Sequence, residues 1–327
     1  MAKSEFDARW MGVALALAER GQGLSSPNPS VGCVIVKDNV VVGRGWTQAG
    51  GRPHAEAMAL GEAGDEARGA TAYVTLEPCA HESQRGPACS DSLIAAGVAH
   101  VVAGMTDPDP RTAGQGFAKL RDAGIAVTEN VRREEVERQL AAFVTRQRLN
   151  RPLVTLKIAT SLDGQIARPD GTSRWITGER ARAHAHLERA RHDAILVGRS
   201  TRDHDMPKLD VRLPGLEQRS PKKILLSRQS PDLPKDWTAI SNPADVKSLE
   251  GVQSVLVEGG AWTWAAFLKA GLADRLLLYR APILIGIGKP ALGDIGLTSL
   301  DAAHGRWRLL DARQVGKDRM ELYEAVR

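Results

Sequence analysis

Short apolar runs alternate with helix-patterned stretches along the first 148 residues, stop at the polar segment RQRLNRP (146–152), and then begin again. Strands alternating with helices bury a sheet between helical layers, so each half reads as an α/β unit with its own core. The first half gives a helix over about 5–20 with Trp10, Val13, Ala14 and Leu17 on one face. A hairpin then turns at Asp38-Asn39, and a helix runs from about His54 to Gly64. Strand TAYVTL, helix SDSLIAAGV, strand HVVAGM, a helix over 115–123, strand IAVTEN and a helix over 133–148 follow. The second half gives strands LVTLKIATS, DAILVGR, KKILLS and SVLVEGG, helix AWTWAAFLKAGL, strand RLLLYRAPILIG, and late strands WRLLDARQVG and RMELYEAV. Segments 206–221 and 228–248 are rich in Pro, Ser and Asp and read as loops. The expected division is 1–146 and 147–327, each long enough to bury a core.

Charge narrows the partners. Residues 1–150 carry 16 basic and 18 acidic side chains, and the remainder carries 28 and 21, scattered singly with no Lys/Arg block. That pattern suits small phosphate-bearing ligands better than nucleic acid. No apolar run reaches the ~18 residues of a membrane span. The opening MAKSEFDARW places Glu5 and Asp7 ahead of a short apolar run, a poor secretory leader, so a cytoplasmic protein is expected.

Three cysteines in a reducing compartment do not make a disulfide framework. Cys33, within VGCVIV, reads as a small buried hydrophobe. Cys79 and Cys89 lie instead in the polar loop LEPCAHESQRGPAC, downstream of His54 and Glu56 in RPHAEAMAL. The order H-x-E … P-C … C is that of zinc deaminases, here with a longer spacing between the thiols than C-x-x-C. Zinc takes imidazole and thiolate, and three protein ligands leave a fourth position for water. The metal lowers that water's pKa, and a neighbouring carboxylate, Glu56, moves protons to the ring and the leaving amine. Residues two apart on a regular helix point to different sides, so His54 and Glu56 meet only if His54 stands at the helix start, where Pro53 is consistent with a beginning. A helix N-terminus also favours a thiolate, which suits Cys89 ahead of SDSLIAAGV.

These motifs, with PNPSVGCVIVKD, GATAYVTLEPC and DSLIAAGVAHVVAGMTDPDP in the first half and LKIATSLDGQIA, SRWITG, HDAILVGRST, DMPKLDVR and VEGGAWTWAAFLKAGLADRL in the second, resemble the bifunctional riboflavin-biosynthesis deaminase–reductases over nearly the whole chain. The resemblance implies a cytidine-deaminase-like α/β/α domain followed by a dihydrofolate-reductase-like α/β domain. It implies zinc-dependent deamination of a phosphoribosylaminated diaminopyrimidinone, then NADPH-dependent reduction of the ribosyl group to ribityl, in a homo-oligomer. By resemblance His54, Cys79 and Cys89 hold zinc and Glu56 shuttles protons. Asn28 and His81 meet the substrate, and Arg85 stands in for a basic residue of the family loop. In the second domain the resemblance assigns substrate contacts to Ser173, Leu209, Arg212 and Glu258. It assigns cofactor contacts to Ala159, Trp175, Thr201, Asp205 and the pyrophosphate loop Gly260, Ala261, Trp262, Thr263 and Trp264. Lys157 and Asp205 are both candidate proton handlers. The chain departs from the family in a loop one residue longer, in Thr47 where relatives often carry histidine, and in Met206 before Pro207.

Without the resemblance the reductase case rests on a Gly pair between a strand and a helix, with no G-x-G-x-x-G fingerprint. Two other readings compete: a nucleic-acid base deaminase with an accessory domain, marked by salt-sensitive RNA binding without NADPH binding, and a structural zinc protein, marked by a fourth ligand such as His81.

Overall fold

A computed structural model describes residues 3–81, 85–229 and 232–327. The chain divides into two compact units, residues 1–150 and 151–327. No helix among the described residues is long and apolar enough to cross a membrane.

The first unit runs α1 (Lys3–Ala18), β1 (Gly32–Lys37), β2 (Val40–Trp46), α2 (Ala55–Ala63), β3 (Thr71–Val74), α3 (Cys89–Ala96), β4 (His100–Ala103), α4 (Gln115–Asp122), β5 (Ala126–Thr128), α5 (Arg133–Gln139) and α6 (Ala141–Leu149). Its sheet has the order β2-β1-β3-β4-β5. The β2–β1–β3 pairs are antiparallel and the β3–β4–β5 pairs parallel. Asp38 and Asn39 both take positive φ (48° and 63°), the backbone a two-residue hairpin turn requires. Gly32 to Val36 and most of β3 and β4 are buried without alternation, so both faces of the central strands are covered. The buried stripe of α1 is Trp10, Met11, Ala14 and Ala18, with Val13 and Leu17 at its margins. Each fully buried Ile, Leu or Phe of this core, such as Ile35, Leu93 or Phe117, contributes roughly 1.5–3 kcal/mol. The helix expected over 133–148 breaks at Leu140, whose ψ of 9° ends α5 and begins α6.

The second unit contains β6 (Leu153–Thr160), β7 (Gln165–Ala167), α7 (Glu179–Ala190), β8 (Ala194–Gly198), α8 (Arg199–Asp205), β9 (Lys222–Leu226), β10 (Trp237–Ile240), β11 (Ser254–Val257), α9 (Ala261–Lys269), β12 (Arg275–Arg280), β13 (Lys289–Pro290), β14 (Trp307–Val315) and β15 (Asp318–Ala325). The main sheet is ordered β10-β9-β8-β11-β6-β12-β15-β14. It is parallel from β10 to β12, and β15 and β14 close it antiparallel. Alternation along β6 serves two cores. Val154, Leu156 and Ile158 pack with Trp264, Phe267 and Leu268 of α9. Ala159 packs on the other core with Leu277, Tyr279 and the alanines Ala181 and Ala185 of α7. The sequence reading omits α7 and α8, carries the strand of β12 six residues too far, and treats β10 as loop.

Candidate active sites

In the first unit the chain turns three times toward one point. His54 is the N-cap of α2, extended at φ −72° and ψ 163°, and Glu56 lies in the first helical turn. The two-residue spacing is reconciled because His54 stands outside the helix. Cys79 follows β3 on a buried segment, and Cys89 is the first residue of α3. One ligand atom from each of His54, Cys79 and Cys89 lies within 4.8 Å of the others, and among the described residues no fourth His, Cys or carboxylate joins the cluster. His54 Nδ1 is 3.2 Å from Cys89 Sγ and 3.7 Å from Cys79 Sγ. Tetrahedral zinc with bonds of about 2.3 Å to sulfur and 2.0 Å to nitrogen needs an S···N separation of about 3.5 Å, so donor types and spacing both fit that ion.

The electrostatics is already biased toward a cation. A hydrogen bond from the Cys89 thiol, aided by His54 and by the Cys89 backbone N–H 3.3 Å from its sulfur, pushes the Cys79 thiol down to about 4. Cys89 is raised by that same bond, by burial and by the charge of Glu56. Burial raises the Glu56 carboxyl, with Cys79 adding and His54 opposing. A buried carboxyl that holds its proton more firmly is what a proton shuttle needs.

A cavity of about 260 Å³ opens over this cluster, lined among others by Asn28, Thr47, Glu56, His81 and Arg85. The Asn28 amide contacts the Gly51 carbonyl at 3.1 Å and His54 Nε2 at 3.2 Å. His81 Nδ1 lies 3.4 Å from Thr112 Oγ1, and His81 is not part of the three-donor cluster. Arg85 donates to the Gly50 carbonyl at 2.8 Å. Residues 82–84 of the polar loop lie outside the described residues. Thr47 is buried and its hydroxyl accepts the Val31 N–H at 3.0 Å, a bond that commits the side chain to the scaffold.

Sequence reading missed Glu77, Asp107, Asp109 and Arg111, which also line the cavity. The buried Glu77 carboxylate accepts the backbone N–H groups of Asp107, Gly114, Gly116 and Phe117 at 2.9–3.3 Å, and so ties the 105–117 loop to the cysteine segment. Burial raises the Asp107 carboxyl to about 7. Asp109 is held by Arg111 through both its oxygens. The only signal was the acidic run TDPDP after a strand.

In the second unit a cavity of about 450 Å³ lies on the α7 face of the sheet. Trp175, Arg212 and Glu258 of the expected set line it, together with Lys157, His186, Arg189 and Tyr279. Glu258 follows β11 and accepts a two-pronged bond from Arg189 at 2.7 and 2.9 Å, with Lys157 Nζ at 3.8 Å. Burial alone would raise this carboxyl, but Lys157 and Arg189 bring it down to about 2. The Arg182 guanidinium stacks 4.7 Å over the Trp175 ring. Ser173 is half-buried two residues before Trp175.

Of the expected cofactor residues, Trp175 lines this cavity and Ala159 lies on β6, whereas Thr201, Asp205 and Gly260–Trp264 follow the adjacent parallel strands β8 and β11. A Cβ on Gly259 would sit 2.6 Å from the Gly198 nitrogen, and one on Gly260, at φ 27°, would sit 3.2 Å from Thr201 Oγ1. The carboxyl ends of parallel strands are where open α/β sheets bind ligands. Asp205, the last residue of α8, is exposed and accepts from Arg174 through its carbonyl at 3.3 Å. Trp262 is exposed, whereas Thr263 and Trp264 are buried and the Trp264 indole donates to the Val257 carbonyl at 3.1 Å. Leu209 is likewise buried, among Ile195, Val197 and Leu225. The side chains of Trp264 and Leu209 therefore serve the core and leave only backbone for a ligand.

Fold and sites define a zinc deaminase joined to a reductase. The cytidine and deoxycytidylate deaminase zinc-binding region matches residues 4–105, and the RibD C-terminal domain matches residues 152–320. The riboflavin biosynthesis protein RibD of Escherichia coli is 39% identical over 95% of this chain and 97% of its own, and that of Aquifex aeolicus 38% over 91% and 92%. RibD of Acinetobacter baumannii has a solved structure that superimposes with a TM-score of 0.88 at 34% identity, covering 99% of this chain and 100% of that one. A Thermotoga maritima diaminohydroxyphosphoribosylaminopyrimidine deaminase/5-amino-6-(5-phosphoribosylamino)uracil reductase gives 0.87 at 30% identity, with 99% of each chain covered. The chain belongs to the RibD family: it is a bifunctional deaminase/reductase of riboflavin biosynthesis, with zinc in its first domain and NADPH used in its second.

Proposed function

We propose that residues 1–146 deaminate the diaminopyrimidinone nucleotide and that residues 147–327 reduce the resulting 5-amino-6-(5-phosphoribosylamino)uracil to its ribityl form. The three-donor cluster of His54, Cys79 and Cys89 beside buried Glu56 carries this reading. When bound there, zinc supplies a Lewis acid that makes a water nucleophilic at neutral pH. Glu56 takes the proton from the attacking water, gives it to the ring nitrogen, and passes the second to the departing amine. Asn28 fixes the His54 ring from behind and reaches the pyrimidine, while His81 and Arg85 form the lip that receives the rest of the nucleotide. The tight packing of Asn28 against the Gly51 carbonyl and His54 supports that placement.

In the second domain NADPH supplies the hydride. Ala159, Trp175, Thr201, Asp205 and the Gly260–Trp264 turn hold the cofactor, and the lack of a side chain at Gly260, where a Cβ would sit 3.2 Å from Thr201 Oγ1, keeps the backbone open to a pyrophosphate. Ser173, Leu209, Arg212 and Glu258 hold the substrate, Arg212 by its phosphate. Lys157, drawn toward Glu258, is nearer the cavity's charged centre than Asp205 and is our choice for the proton donor. The enzyme acts on a small phosphorylated pyrimidine without nucleic acid, in the cytoplasm, where its three cysteines stay out of disulfides. We take it to be a homo-oligomer, which light scattering tests. The deciding experiment supplies the diaminopyrimidinone nucleotide with and without NADPH. Deaminated product should accumulate without NADPH and be replaced by ribityl product with it, and failure of either step removes the assignment of that domain.

A further inference from the structure

We infer that His186 reads the substrate's phosphate in the reductase cavity, as a hydrogen-bond donor paired with Arg212. The inference rests on the reductase reading above and adds a residue that the motifs did not single out. Arg182, His186 and Arg189 stand at i, i+4 and i+7 of α7 and all line the cavity. The His186 ring touches Arg212 twice. Its Nδ1 accepts the Arg212 backbone N–H at 3.2 Å, and its Nε2 lies 3.3 Å from the Arg212 guanidinium. A neutral imidazole accepts at one nitrogen only, and guanidinium has no acceptor at all. The backbone N–H fixes Nδ1 as the acceptor, so the proton is on Nε2 and faces another donor.

Burial, with Arg189 and Arg212 nearby, lowers the His186 pKa against the smaller opposing pull of Glu258 and the Asp210 carbonyl, which favours the neutral ring. That carbonyl also accepts from Arg189 at 2.8 Å. Arg189 itself is spent on Glu258. Arg212 Nε has the Asp210 carboxylate 3.6 Å away, which leaves its terminal nitrogen facing the His186 Nε2–H, and the tetrahedral oxygens of a phosphate ester accept from both.

The test measures the reductase step at saturating NADPH with 5-amino-6-(5-phosphoribosylamino)uracil and with its dephosphorylated counterpart. His186→Ala should raise KM for the phosphorylated substrate about 10–100-fold, the worth of one hydrogen bond to a charged group, with little change in kcat. KM for the dephosphorylated substrate should not move, and inorganic phosphate should inhibit the variant more weakly than wild type. His186→Gln should restore phosphate discrimination, because its amide accepts from Arg212 and donates onward. Equal losses on both substrates, or an unchanged KM on the phosphorylated one, would overturn the inference. A wild-type enzyme that binds both substrates equally would instead refute the phosphate placement at Arg212, and the role of His186 with it.

Discussion

Glu56 and Glu258 are both buried carboxylates, yet their surroundings send them in opposite directions. Glu56 is raised chiefly by burial, whereas Glu258 sits between two cations and is lowered to about 2. Glu56→Gln should cut deamination by about 10²–10⁴-fold, the range for a lost general acid–base, while zinc content and reduction of supplied intermediate are retained. Metal analysis beside separate assays of the two steps checks it. For Glu258 the folded value lies below the unfolded value of 4.5, so its contribution to stability is fully present above pH 4.5 and is lost as pH falls toward 2. The shift corresponds to on the order of 3 kcal/mol. Unfolding of the second domain should show a wild-type advantage over Glu258→Gln at pH 6 that closes between about pH 4.5 and 2. At this scale the cluster of His54, Cys79 and Cys89 beside Glu56 could be read from the chain, because metal chemistry restricts residue type and order. Arg189 could not, since its partnership with Glu258 joins positions whose only link is the fold.

The elements show how a spacing becomes a site. α2 lies so close to β2 that a Cβ on Gly45 would press into the Ala55 carbonyl oxygen and come within 2.7 Å of the Ala59 nitrogen. These are backbone atoms and cannot swing aside. Gly45→Ala should push the start of α2 outward, carrying His54 and Glu56 off the cysteines. The expected result is a loss of roughly 1–3 kcal/mol in stability, with weakened zinc retention against a chelator. Thermal melts and a competitive zinc titration measure the two effects. The same scale explains what sequence patterning hid. The hairpin at Asp38-Asn39 was legible because Asp and Asn, which tolerate the positive φ they adopt here, sit between two apolar runs. The helix α7, ERARAHAHLERA, was not, because it buries only Ala181, Ala185 and Ala190 and offers no large apolar stripe. Strong polarity with small buried residues reads as loop, although this helix roofs the reductase cavity.

Over the whole molecule, each domain has its own core and its own cavity. Chelation of zinc should therefore abolish deamination and leave NADPH oxidation with supplied intermediate unchanged, and readdition of zinc should restore the first step. Loss of both activities on chelation would contradict two independent sites. The sheet order in the second domain bears on how the protein is made. Its most N-terminal strand, β6, lies in the sheet interior, and both of its neighbours, β11 and β12, come from beyond residue 253. The first domain can close while the ribosome is still translating the second, because its strands pair with partners that have already emerged. The apolar run LVTLKIAT has no such option: it leaves the exit tunnel early and waits until β11 and β12, which ends at Arg280, have emerged before its edges are covered. Nascent chains halted before residue 254 should thus carry a finished deaminase followed by a strand that is a substrate for chaperones.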